Sequence, residues 1–218
     1  ALLLANALYL KNTWEQKFDP LVTREDNFQP AGGSAVVTEF LSNGLRDEGY
    51  FRTADAAGAV LPYDDGRLAF VAVLPDGELD SWLEGLDGGT FSELIAAAED
   101  TRLFLRMPKF EAEWGGELAD ALAALGLDAS FDPTRADFSR MGTGAEGMPL
   151  YVDSVLHRAK LAVNEEGTEA AAATVVEVPS GAPAPTDYEE LTLDRPFCYA
   201  IVDLERGVPL FLGTFEKP

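Results

Sequence analysis

Nucleophilic hydrolysis of the serine type needs a histidine beside a serine and an acid, and this chain has one histidine, His157. It sits within an apolar strand-like run, SVLHRAKLAV, where it reads as a satisfied core histidine rather than a general base. The lone cysteine, Cys198 in PFCYAIV, reads as a buried small hydrophobe and leaves no intrachain disulfide to form. No Cys/His cluster has metal-ligand spacing, so no metal site is expected. The pairs Gly88-Gly89 and Gly115-Gly116 lack the further glycines and the lysine of a phosphate-cradling loop, and read as turns. Glu165 and Glu166 are consecutive, which reads as solvated acid rather than a catalytic carboxylate pair. These residues argue against a conventional enzyme and call for no cofactor.

A different kind of function is suggested by Asn164 to Val178, NEEGTEAAAATVVEV, and the Pro-rich VPSGAPAP after it. Alanine and glutamate favour helix, whereas Val175, Val176 and Val178 pull toward strand. With a period of two, Thr168, Ala170, Ala172, Thr174 and Val176 share one small, mostly apolar face. Local physics leaves short helix and extended segment both open.

The 218 residues are 47% hydrophobic, enough for a substantial core. A net charge of −22, spread along the chain, repels phosphate backbones and anionic lipid, so nucleic acid and membrane are not expected partners. No apolar run reaches the roughly 18 residues of a membrane helix. The chain starts without Met on the apolar run ALLLANALYL, so a fragment is expected, with any targeting segment upstream.

The elements that must position these residues can be taken in order. Residues 1–18 predict a long strand, apolar on both faces and suited to a covered central position, with Asn6 its polar interruption. Residues 19–46 alternate around a turn at Pro30 to Gly33; 49–62 hold short strands, and RLAFVAVLP (67–75) a buried one. Helices are expected over Leu79–Leu86 and over Phe91–Ala98 with Thr90 as N-cap. Residues 103–114 read as a strand bent or bulged at Pro108. Residues 116–127 predict an amphipathic helix, Leu118, Leu122 and Leu125 on one stripe and Gly126 at its end. Residues 132–140 read as loop or a helical turn, and 151–167 open as an alternating strand. Strands 196–205 and 209–216 close the chain around Arg206-Gly207. The fold class is a mixed α+β domain rich in antiparallel sheet, 1–218 as one unit.

Several of these motifs together resemble the serpins, serine-protease inhibitors that trap their target by inserting a reactive loop. NEEGTEAAAAT (164–174) is similar to the inhibitory hinge, and LLANALYLKNTWEQKFDP (3–20) to a strand of the central sheet and its exit. LRMPKFE, the LADALAALGL helix, ADFSR, SVLHRAKLAVNEEGTEA, DRPFCYAIVD and PLFLGTFEKP follow in the family's order. The resemblance implies the C-terminal portion of a prokaryotic-type serpin without its N-terminal helical part. The fold implied is incomplete: a large central sheet, antiparallel sheets and a few helices. Alone, such a portion would leave the 1–14 strand uncovered on its apolar faces.

By the same resemblance, 164–195 is hinge plus reactive-centre loop, with Glu165, Gly167, Thr168, Ala170, Ala172 and Thr174 as hinge positions. Asn6 and His157 match a buried polar pair where the sheet parts, and Glu165 with Lys109, beside Trp14, an ion pair at the top of that opening. The implied activity is suicide inhibition in the full-length parent, outside the cell; the alternatives are a non-inhibitory carrier or chaperone, or an inactive fragment. Counting forward from Glu165 puts the reactive bond at Gly181–Ala182, whereas counting back from DRPF lands near Pro185. No Lys or Arg lies between Glu169 and Leu193, so an elastase-, subtilisin- or chymotrypsin-like protease is the expected partner rather than a trypsin-like one.

Overall fold

A computed structural model describes residues 1–168 and 187–218. The chain opens on β1 (Leu2–Tyr9) and, after a break at Leu10-Lys11, β2 (Asn12–Thr13), so the single strand expected over 1–18 is two. A hairpin follows, β3 (Arg24–Phe28) and β4 (Val36–Ser42), around the expected Pro-Ala-Gly-Gly turn. Then come β5 (Arg46–Arg52), β6 (Ala56–Pro62) and β7 (Leu68–Pro75). Helices α1 (Leu79–Leu83) and α2 (Gly88–Ala96) are next; the cap of α2 is Asp87, whose Oδ1 accepts from Thr90 N at 2.8 Å, not Thr90 itself. The Pro108 region breaks as expected, into β8 (Glu99–Pro108) and β9 (Phe110–Glu117).

The helix expected over 116–127 is interrupted. α3 (Ala119–Leu122) runs into a wider turn, Ala123–Leu127, before α4 (Asp128–Phe131). Gly126, at φ +101°, reverses the chain inside that turn where only glycine is unstrained. Leu118 and Leu122 are half-buried, but Leu125 is 82% exposed, so the leucine stripe does not close onto a core. The remaining strands are β10 (Val152–Val163), β11 (Gly167–Thr168), β12 (Glu189–Thr192), β13 (Phe197–Asp203) and β14 (Val208–Phe215).

Two compact units emerge. The larger comprises residues 11–110 and 162–218. Its nine-stranded sheet runs β14-β13-β7-β6-β5-β8-β4-β3, with β12 parallel to β8. β6, β7 and β13 are apolar on both faces and buried on both. On one face Val71, Val73, Cys198, Ala200 and Val202 meet Leu79, Phe91 and Leu94 of the helices. Burial pushes the Cys198 thiol up to about 11, which leaves it an inert core group as its sequence context suggested.

The β13–β14 turn is held by Asp203, which is almost wholly buried. Its Oδ2 accepts from Arg67 Nε (3.0 Å), Arg67 Nη2 (2.5 Å) and Arg206 Nη1 (3.1 Å), and its Oδ1 from the Glu205 and Arg206 backbone amides. The Arg67 hydrogen bonds lower its pKa from 3.8 to about 2, outweighing desolvation. A carboxylate depressed in the folded state adds stability above its unfolded pKa and loses it as pH falls through the folded one. Acidification from about pH 4 to about pH 2 should therefore release this contribution. Asp203→Asn should lower Tm at neutral pH and flatten that part of the Tm-against-pH curve, as calorimetry would show.

The smaller unit comprises residues 1–10 and 111–161. Here β1 lies parallel and directly against β10, from Leu2↔Val152 to Tyr9↔Lys160, and β9 pairs with β10. Glu117 Oε1 accepts from Val155 N at 2.8 Å, and Leu118 N donates to Val155 O at 2.9 Å, tying the start of α3 to β10. The covered central strand read from residues 1–18 is not what this chain shows: Leu3, Leu4 and Tyr9 are 64%, 47% and 58% exposed. Among the described residues, most side chains of β1 lie open, whereas Trp14 beyond it is buried.

Candidate functional site

The residues just before the Ala-rich run are seated in the larger unit. Asn164 Oδ1 accepts from Glu166 N (2.9 Å) and Gly167 N (3.2 Å), and Asn164 N donates to Gly167 O (3.0 Å). This side-chain-closed turn reverses the chain after β10, the use for which asparagine is suited. Gly167 and Thr168 then pair antiparallel on both sides: Thr168 with Val163 at the end of β10, and Gly167 and Thr168 with Thr13 and Asn12 of β2. The ambiguous stretch thus begins as strand. Gly167 sits at φ +152°, and a Cβ there would lie 2.1 Å from Asn12 O.

Thr168 is fully buried, its hydroxyl 2.6 Å from the Tyr63 hydroxyl. Burial raises the Tyr63 pKa, so its phenol stays protonated and available to this bond. The Tyr63 ring stacks on Trp14 at 4.8 Å, nearly parallel, and Trp14 packs edge-on against Phe18 and Phe70. Trp14 N donates to Glu166 O (3.0 Å), and its indole Nε1 to Asn164 O (2.8 Å). One tryptophan therefore carries two carbonyls of the turn.

Glu165 and Glu166 are not the solvated acids expected of a consecutive pair. Glu165 meets Lys109 Nζ at 3.2 Å and accepts from Thr23 Oγ1 at 3.0 Å. Burial alone would raise its pKa, but backbone, Lys109 and Thr23 hydrogen bonds together bring it below the usual value. Glu166, 8% exposed, takes Lys17 Nζ at 2.6 Å. The Lys109–Glu165 pair read from the sequence is present. Tyr63, Thr23 and Lys17 were not foreseen: each reaches the turn across more than a hundred residues of chain, and nothing local marks it.

In the smaller unit, Asn6 and His157 face each other in register, with Asn6 Nδ2 3.2 Å from His157 Nδ1. An amide nitrogen only donates, so the imidazole Nδ1 accepts. The pair is made, but not as a buried core contact: Asn6 is exposed and His157 half-buried, its ring 5.8 Å from that of Trp114. Physically, Asn6 lies on a strand whose side chains are half-buried or exposed among the described residues. Trp14, Lys109, Glu165, Gly167 and Thr168 thus gather in one unit, and Asn6 with His157 in the other. Ala170, Ala172, Thr174, Gly181 and Ala182 lie outside the described residues. Among the described residues, no three His, Cys, Asp or Glu side chains group as a metal site.

This strand arrangement is shared with a known family. The family model for Serpin (serine protease inhibitor) matches residues 1–218, and the chain belongs to the serpin family. It is 36% identical over 226 residues to Serpin-Z1A of Triticum aestivum, covering all of this chain and 56% of that protein. An uncharacterized serpin-like protein of Thermococcus kodakarensis is 30% identical over 219 residues, covering all of this chain and 50% of its own length. The native-state structure of the thermophilic serpin tengpin superposes with a TM-score of 0.89 at 32% identity, covering 98% of this chain and 55% of that one. The chain thus spans about half the length of the relatives it matches, and its fold is an incomplete α+β serpin fold.

Proposed function

We propose that the full-length protein inhibits serine proteases as a suicide substrate, with 1–218 as part of one serpin domain and 164–195 as hinge and reactive-centre loop. One observation carries the reading: Gly167 and Thr168 already form a two-residue strand between the ends of β10 and β2. Further along, β1 and β10 pair directly with nothing between them. A strand extended from Thr168 in the same register would set Ala170, Ala172, Thr174 and Val176 opposite alternate residues of β10, and bring Thr174 between Asn6 and His157. Those residues are small enough to enter a packed sheet.

The protease serine attacks the Gly181 carbonyl carbon, the Gly181–Ala182 amide bond breaks, and the Ala182 amine leaves with the proton. The protease is held as an acyl ester on Gly181, and the freed segment inserts between β1 and β10. Roughly ten new ladder hydrogen bonds at about 0.5–1.5 kcal/mol each release on the order of 5–15 kcal/mol to distort the bound enzyme. The small residues around Gly181 and the lack of Lys or Arg from Glu169 to Leu193 support an elastase-, subtilisin- or chymotrypsin-like target. Acting on such digestive or secreted enzymes, the inhibitor works outside the cell.

Incubating the full-length protein with subtilisin, elastase and chymotrypsin tests this. An SDS-stable complex with at least one of them, a released peptide starting at Ala182 by mass spectrometry, and a sharp Tm rise on cleavage are expected. Clean cleavage with neither complex nor Tm rise overturns the inhibitory reading.

A further inference from the structure

The seat of the hinge depends on a chain of charged side chains that ends away from it, on Glu48. Arg46 uses its whole guanidinium: Nε donates to Glu48 Oε1 (2.6 Å), Nη1 to Lys17 O (2.8 Å) and Nη2 to Gln16 O (2.7 Å). Its plane lies over the Phe18 ring, 5.1 Å from the centroid. The Gln16–Phe18 turn that Arg46 grips is the one that grips the hinge. Lys17 Nζ reaches Glu166 Oε2 at 2.6 Å, and Phe18 N donates to Glu165 O at 2.9 Å. Just behind them, Trp14 N and Nε1 hold the Glu166 and Asn164 carbonyls. Thus the backbone of 16–18 is fixed on one side by Arg46 and holds residues 165–166 on the other.

Glu48 is a costly anchor. It is 4% exposed, and burial raises its pKa despite Arg46, with Glu15 and Asp100 adding repulsion. A well-packed apolar residue would usually be as stable there. The carboxylate instead fixes the fork of Arg46 in the one orientation that serves both carbonyls.

We infer that Glu48, Arg46 and Lys17 are positioning residues for the hinge: they keep Gly167 and Thr168 seated as the first inserted pair, and so set how often insertion outruns release of the cleaved loop. This rests on the trap reading above, and it adds residues that touch neither the protease nor the reactive bond. Lysine cannot replace Arg46, because one ammonium cannot bridge two carbonyls and a carboxylate while covering Phe18.

The test uses the full-length protein with Lys17→Met, Arg46→Lys and the exchanged pair Lys17→Glu/Glu166→Lys. Lys17 is one-third exposed, so Lys17→Met should fold normally. Two quantities are read: amide hydrogen exchange over residues 164–168, and the ratio of SDS-stable complex to cleaved inhibitor with subtilisin. Losing a charged hydrogen bond should speed exchange about tenfold in Lys17→Met and Arg46→Lys and shift the ratio toward cleaved product. The exchanged pair should restore both. If wild type forms complex and Lys17→Met changes neither quantity, the inference is wrong while the trap stands. If wild type forms no complex, the trap reading fails, and the exchange data decide alone: faster exchange upholds the anchoring role, and unchanged exchange removes it. A Tm loss without either change is ordinary destabilisation and also overturns the inference.

Discussion

Thr168→Arg in the full-length protein should convert an inhibitor into a substrate. Thr168 has no exposed surface, and its hydroxyl is committed at 2.6 Å to that of Tyr63, whose ring stacks on Trp14. An arginine there has neither room nor a partner: Lys17 and Lys109, the cations already around the turn, would repel it. Burying the unpaired ion costs several kcal/mol, more than the roughly 1.4 kcal/mol that shifts an equilibrium tenfold. Residue 168 must then leave the seat between β10 and β2, and the first inserted pair is lost. Under the proposed trap, insertion would have to begin from a detached strand, and deacylation should overtake it. The measurement is the yield of SDS-stable complex with subtilisin or elastase, expected to fall about tenfold or more while loop cleavage continues. Thr168→Ser, which keeps the hydroxyl, should retain most of the yield, and Thr168→Val should fall between. An undiminished yield from the arginine variant would sink the insertion reading, because no inserted strand could accept that side chain.

What the sequence made legible here follows the range over which each signal acts. Alternation and turn residues are local, so the β3–β4 hairpin, the bent strand at Pro108, the buried β7 and the closing β13–β14 pair fall where 19–46, 103–114, 67–75 and 196–216 placed them. The reading of 164–174 as a hinge rests on likeness alone, and its composition left helix and strand open. For residues 167–168 neighbours decide: Val163 and Asn12 offer backbone groups that make them strand. Glu166 was misread for the same reason. Two adjacent acids look solvated until Lys17 and Lys109 arrive from distant positions to neutralise one each. The reading of β1 as a covered strand failed in the opposite way. Its sequence is apolar on both faces, yet Leu3 and Leu4 stay exposed among the described residues. The pattern records the surroundings for which the strand is suited, and the relatives, nearly twice as long, have the chain to supply them. Asn6 and His157 meet regardless, because strand register alone brings them opposite each other.

Gly167→Ala should disable the same seat by geometry, without any charge. At φ +152° the backbone is in a region that side-chain-bearing residues rarely occupy. The added Cβ would lie 2.1 Å from Asn12 O and 2.7 Å from Thr13 Cα. Both are backbone atoms of β2, so no rotamer change can make space, and β2 is itself tied down by Trp14 N to Glu166 O on the following residue. The strain alone costs on the order of 1–3 kcal/mol, and relief requires β11 to withdraw from β2. Withdrawal breaks the Gly167–Thr13 and Thr168–Asn12 pairing and pulls the Thr168 hydroxyl from Tyr63. Full-length Gly167→Ala should therefore unfold at lower temperature, exchange the amides of 166–168 faster, and give cleaved product in place of complex. Gly66→Ala is the fitting control. It too has a positive φ, +65°, but open space where the Cβ would go, so it should lose stability without changing the product ratio. If Gly167→Ala and Gly66→Ala behave alike, the close approach to Asn12 is not what governs the hinge. If only Gly167→Ala diverts the reaction to cleaved product, the contact between β11 and β2 is the step at which insertion begins.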